Sequence, residues 1–404
     1  MNRRIVVFGV AVSLLAIIGF IRPEVVNPEP ELFNFNVTLG YIATTTQDQP
    51  KDAFLVSLAE KDINDYCVSN QIPWRFNIQV ECAEGQAQKA FNLTQRFADD
   101  GVFLVGGYGW SSFLCSGART IAKENNMTLV SVGSTSPLFT LQDNAFRLCP
   151  TDLQQVDAIN AMISDFEYTS VIIIQRGDSW GDLIVEAFKN SFKGEIVHKV
   201  RYPAEAISFK TQLEEIEAIY QSYTGQSKPC VLLVTFSEAG YFLNETLDYP
   251  DLLNTTWFGT DGTADSDFII EYGGEPLANV HLYSPAQFTD QENEWYQEIN
   301  QQYKAIYMHD MQLSRANTYD CCWLMAHSII DTNSTDPEKI LTSIIDVSAN
   351  HRGITGDISL DNNGDRIHGT YAIYGYFEED EKITSELCGF YINENNEITW
   401  YRDH

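Results

Sequence analysis

"MTLVSVGSTSP", residues 127–137, is the stretch on which the reading of the fold turns. Leu129, Val130 and Val132 read as the end of a buried strand, which opens into Gly133, Ser134, Thr135 and Ser136 before Pro137 stops it. Small hydroxyl side chains and unhindered backbone N–H groups cannot fill a core. Outside the carboxyl end of a parallel strand, where loops and helix N-termini point N–H groups at a ligand, they can hold an anion.

Upstream of this stretch, short apolar runs alternate with amphipathic ones. "VTLGYIA" (37–43) precedes "AFLVSLAEKDINDYCVSN" (53–70), "RFNIQVEC" (75–82) precedes "AQKAFNLTQRFADD" (87–100), and "VFLVGG" (102–107) precedes "SSFLCSGARTIAKENN" (111–126). This is the β-α alternation of a parallel sheet with helices on both faces. A second series follows "FRLCPTD" (146–152), where Asp152 is placed to cap the helix "LQQVDAINAMISDF" (153–166). Its strands are "TSVIIIQR" (169–176), "EIVHKVRYP" (195–203), "CVLLVTF" (230–236) and "NTTWFGTDG" (254–262). Helical stretches from "DQENEWYQEINQQYKAIY" (290–307) to "YDCCWLMAHSII" (319–330) return the chain to the first unit. The fold class is α/β, with two doubly wound parallel-sheet lobes. Residues 36–150 and about 284–355 are assigned to the first lobe, and 151–283 and about 356–404 to the second.

With 404 residues, 44% of them hydrophobic, the chain can bury two cores. Its 56 acidic against 25 basic residues, net −31, argue against nucleic acid or an anionic membrane surface as partner. Arg3 and Arg4 precede an apolar run from Ile5 to Ile21 that ends at Arg22 and Pro23. Residues 1–22 are thus a signal peptide or a membrane anchor, near the lower end of the about 17–25 residues that span a bilayer. No small-x-small cleavage site follows, which favours an uncleaved anchor, with residues 23–35 as a Pro-containing tether. The flanking arginines place the remainder outside the cell, at its membrane or secreted.

Two features agree with export. N-x-[ST] sequons occur at Asn36, Asn92, Asn126, Asn244, Asn254 and Asn333. The 8 cysteines include no C-x-x-C pair and no His/Cys cluster at zinc spacing, so disulfides are expected before metal, with Cys82 and Cys115 as the favoured pair because each lies beside a strand end.

Three strand ends are conspicuously polar: "VGGYGWSS" (105–112), "GSTSP" (133–137) and "FGTDGTADSD" (258–267). Each alone reads equally as a turn capping the next helix. A dinucleotide fingerprint fails because Ser112 stands where Gly107 and Gly109 require a third glycine. No phosphate-binding loop, nucleophile elbow or metal spacing of histidines occurs, and "DNNGDRIHGTYA" (361–372) lacks the Glu of a calcium loop. No metal or cofactor is expected, and an enzyme is not favoured.

In that order along the chain, "VFLVGGYGWSS", "LVSVGSTSPLFT", "AFRLCPTDLQQVDA", "VIIIQRGDSWGDLIVEAF" and "WFGTDGTADSDFI" resemble the type I periplasmic binding protein fold. The chain is most similar to the branched-chain amino-acid binding proteins of ABC transporters and to receptor ligand-binding regions such as metabotropic glutamate receptor ectodomains. The resemblance runs from Asn36 to about Phe377 and implies a clamshell, two lobes joined by three crossovers that close on a ligand. It implies that Ser111, Ser134 and Thr135 hold a ligand carboxylate, that Asp152 and Asp261 accept from its ammonium, and that Trp180 covers it. Read without the resemblance, Asp152 is a helix cap, Asp261 orders a turn before Gly262, and Trp180 is a half-buried aromatic. The implied function is capture of an amino acid or related zwitterion for an ABC permease. The alternative is a sensory ectodomain that signals to a partner protein.

Overall fold

In the computed structural model, which describes residues 35–288, 291–380 and 382–402, two sheets form two lobes. The apolar run 5–21 and residues 23–34 of the tether lie outside the described residues. The first sheet holds β1 (Phe35–Ala43), β2 (Trp74–Cys82), β3 (Leu104–Gly107), β4 (Thr128–Ser131) and β5 (Ala145–Arg147), all parallel, in the order β2-β1-β3-β4-β5. The second repeats that winding with β6 (Ser170–Arg176), β7 (Glu195–Tyr202), β8 (Cys230–Val234), β9 (Trp257–Phe258) and β10 (Leu282–Phe288), ordered β7-β6-β8-β9-β10.

Helices cover both faces of each sheet, so the central strands are buried on both sides. Val171 to Ile174 and Val231 to Val234 are all fully buried, the continuous apolar run that a parallel sheet demands. Each such side chain contributes about 1.5–3 kcal/mol by leaving water.

The second sheet departs from a purely parallel one. A hairpin, β11 (Arg352–Gly353) with β12 (Gly356–Asp357), precedes three antiparallel strands, β13 (Thr370–Glu379), β14 (Lys382–Ile392) and β15 (Glu397–Trp400), which extend that sheet from β10.

The chain crosses between lobes three times: after β5, after β10, and between β12 and β13. Two boundaries move accordingly. β10 pairs with β9 and β13, so the return to the first lobe falls after Phe288 rather than at 284. Ile354, Ile358 and Leu360 pack in the first lobe's core, which carries that lobe past 355.

The expected Cys82–Cys115 disulfide is not formed, and all 8 cysteines are free thiols. Cys82 is buried at the end of β2, whereas Cys115 is exposed in a π turn (Leu114–Ala118) inside the following helix, not beside a strand end. All six sequon asparagines are exposed.

Candidate functional site

Between the lobes lies a cleft of about 810 Å³, bounded by loops that leave the carboxyl ends of strands from both sheets. From the first lobe come Gly109 to Ser112 after β3 and Gly133 and Thr135 after β4, and from the second Trp180, Phe236 and Asp261 after β6, β8 and β9. Gly109 and Gly133 let the two first-lobe loops touch backbone to backbone. A Cβ on Gly133 would lie 2.7 Å from Gly109 O, and one on Gly109 would lie 2.2 Å from Thr44 Oγ1.

The opening run divides at its pleat. Ser134 is fully buried, donates from Oγ to Tyr108 O at 2.9 Å, and takes no part in lining the cleft. Thr135 faces the cleft instead. Ser111, at the start of the helix after β3, accepts from Ser136 N at 3.3 Å, which leaves its own O–H free to donate into the cleft. The first lobe therefore offers neutral donors at a helix N-terminus, the setting that favours a negative group.

Asp152 does not cap its helix. Thr151 does, accepting from Gln154 N at 3.4 Å while Gln154 Oε1 accepts from Thr151 N at 2.8 Å. The Asp152 carboxylate is thereby released from helix capping. It is about 1% exposed and neither oxygen makes a well-formed hydrogen bond, Thr135 and Trp180 being its polar neighbours. Burial first and the nearby Asp261 second push its pKa up to about 7. Burial likewise raises Asp261, whose backbone N–H donates weakly to Gln155 Oε1 at 3.5 Å, and whose turn is capped by Thr260. Gln155 Nε2 beside them is buried with no well-formed hydrogen bond, although the Gln155 side chain and the Gly262 backbone favour the charged form of Asp261.

The buried Asp152 and the half-buried Asp261 thus share one corner of the cleft, and among the described residues no cation is hydrogen-bonded to either. Arg147, which also favours the charged form of Asp152, spends its hydrogen bonds elsewhere: Nε donates to Asp365 at 2.6 Å and Nη1 to Ser134 O and Ser136 O. Arg176 is paired with Asp178 and Glu238.

Trp180 stacks on Phe236, with ring centroids 4.3 Å apart at 26°, so the second lobe carries an aromatic wall. Phe236 was not singled out from the sequence, although its place just after "CVLLV" puts it at a strand end. Met311, Leu313 and Tyr374 also line the cleft, and no local sequence signal marks them.

Residues 52–378 match the receptor family ligand binding region, and the protein belongs to that family. It is 24% identical over 371 residues, 86% of either chain, to an uncharacterized protein of Methanocaldococcus jannaschii. It is also similar to the branched-chain amino acid transporter substrate binding protein LivJ of Streptococcus pneumoniae, solved with isoleucine. That match has TM-score 0.66 and 18% identity, and covers 87% of this chain and 99% of that one. An ABC transporter substrate-binding protein of Desulfitobacterium hafniense, in complex with Leu, matches at TM-score 0.68 and 18% identity, over 87% and 100%. The leucine binding protein LivK of Thermotoga maritima matches at 0.65 and 19%, over 87% and 97%. The fold is that of the type I periplasmic binding proteins, and the protein is a ligand-binding one. No helix among the described residues is long and apolar enough to cross a membrane.

Proposed function

We propose that the protein is an extracellular solute-binding protein, tethered by its N-terminal apolar segment, that closes on a free amino acid or related zwitterion and delivers it to an ABC permease. The observation that carries this reading is the Asp152 carboxylate, buried and without a well-formed hydrogen bond, beside a second carboxylate and across from neutral donors. Burying one carboxylate beside another is costly unless a cation joins them. A ligand ammonium supplies it, and Asp152 and Asp261 accept from it.

Ser111 and Thr135 take the ligand carboxylate, and Trp180 with Phe236 covers the remainder. Each lobe alone offers half of these contacts, so the ligand selects the closed clamshell through its differential affinity for it. Binding needs no bond to be made or broken. The solved relatives holding isoleucine and Leu support an amino acid over a sugar or purine, and the six exposed sequons suit an exported chain.

A thermal-shift screen of free amino acids, sugars and purines tests this. At least one amino acid should raise the unfolding temperature and no sugar or purine should; stabilisation by a sugar alone would overturn the reading.

A further inference from the structure

Roughly 20 Å from the cleft, at about 1.5 Å per residue along the helix Leu313–Ile330, a second cluster has no part in ligand capture. The C-terminal ends of that helix and of Pro337–Asn350 meet there. His327, Asp331 and His351 each present one ligand atom, all within 4.8 Å of one another. His327 Nδ1 is buried without a hydrogen-bond partner, 3.7 Å from Asp331 Oδ1. His351 Nε2 lies 2.6 Å from Asp331 Oδ2. The two imidazoles stack, centroids 3.6 Å apart at 17°, and His327 also stacks on Trp323.

We propose that His327, Asp331 and His351 bind one divalent transition-metal ion of the zinc class and so clamp the ends of the two helices together. Two imidazoles and a carboxylate are the donor set such ions take, with water completing the coordination. The carbonyl ends of two helices add a favourable field for a cation. A hydrogen bond between His351 and Asp331 explains the outer half of the cluster but leaves the buried His327 nitrogen unused. Coordination requires the stacked rings to swing until both lone pairs converge. His351, partly exposed and just past the last helical turn, is the ring placed to move. The spacing hides this site in the sequence: His327 and Asp331 are one turn apart, but His351 comes from another helix.

Chelator-treated protein titrated calorimetrically with zinc chloride should take up one equivalent and unfold at a higher temperature, and cobalt(II) should give visible d–d absorption at the same stoichiometry. In His351→Ala, zinc affinity should fall at least about a hundredfold, since loss even of a supporting group costs 10–100-fold. The metal-free unfolding temperature should stay nearly the same, and ligand binding in the cleft should be unaffected in either protein. Absence of saturable binding near one equivalent, or equal binding in His351→Ala, overturns the proposal without touching the cleft.

Discussion

Arg147 and Asp152 are both about 1% exposed, yet the molecule treats them oppositely. Arg147, at the end of β5, donates to Asp365, to Ser134 O and Ser136 O, and to Thr140 Oγ1. Around the same crossover, Asp320 accepts from Ile354 N, Thr355 N and Thr355 Oγ1, and Arg366 donates to Leu148 O, Thr355 O and Asp357 O, leaving only its Nε without a partner. Asp152, just across that crossover, has no such satisfaction and shares its corner with Asp261. A buried charge with its partners in place fixes the fold. One left without them, facing a cleft, is where a ligand's charge belongs.

The largest test of this contrast is on the satisfied side. Arg147→Met should destabilise the protein by about 3–5 kcal/mol, because Asp365 is left buried and unpaired. Denaturant unfolding measures it, and a loss below about 1 kcal/mol would mean that this pair is incidental to the fold.

On the unsatisfied side the expectation inverts. Asp261→Asn keeps shape but removes a charge, so the ligand-free unfolding temperature should hold or rise. Amino-acid binding should weaken by about 2–4 kcal/mol, well over tenfold. Equal affinity in variant and wild type returns Asp261 to the role of a turn former.

A smaller effect is expected with pH. With its pKa raised from 3.8 to about 7, Asp152 is protonated in the empty cleft under mildly acid conditions and must release that proton to meet an ammonium. Affinity should therefore fall as pH drops below about 7, by up to about tenfold per unit. For the ligand-free protein the sign is opposite. The folded pKa lies above the unfolded one, so this group's stabilising contribution is complete below about 4 and is lost as pH rises through about 7. Calorimetric titrations from pH 5 to 8 check the first statement, and Asp152→Asn should flatten the profile.

Much of the cleft was legible because strand ends of a parallel sheet are where ligands bind, and "GYGWSS", "GSTSP" and "FGTDG" lie there. What the sequence left open was the phase of each element. Neighbouring residues in extended chain point to opposite sides, and nothing local decides that Thr135 rather than Ser134 faces the cleft. The cap assignment went to Asp152 although "TDLQ" (151–154) carries the Thr-x-x-Gln signature of a reciprocal cap at Thr151, and it is this shift by one residue that releases the carboxylate. The antiparallel extension and the histidine cluster depend on segments far apart in the chain, which periodicity cannot pair.

The central claim is that the cleft recognises carboxylate and ammonium together. Its most direct measurement is a paired calorimetric titration of the wild-type protein with the best-binding amino acid and with its N-acetyl derivative, which keeps the carboxylate and side chain but has no ammonium. The account predicts that acetylation weakens binding at least about a hundredfold, in line with loss of a buried charged contact. Equal affinity for the two would contradict it.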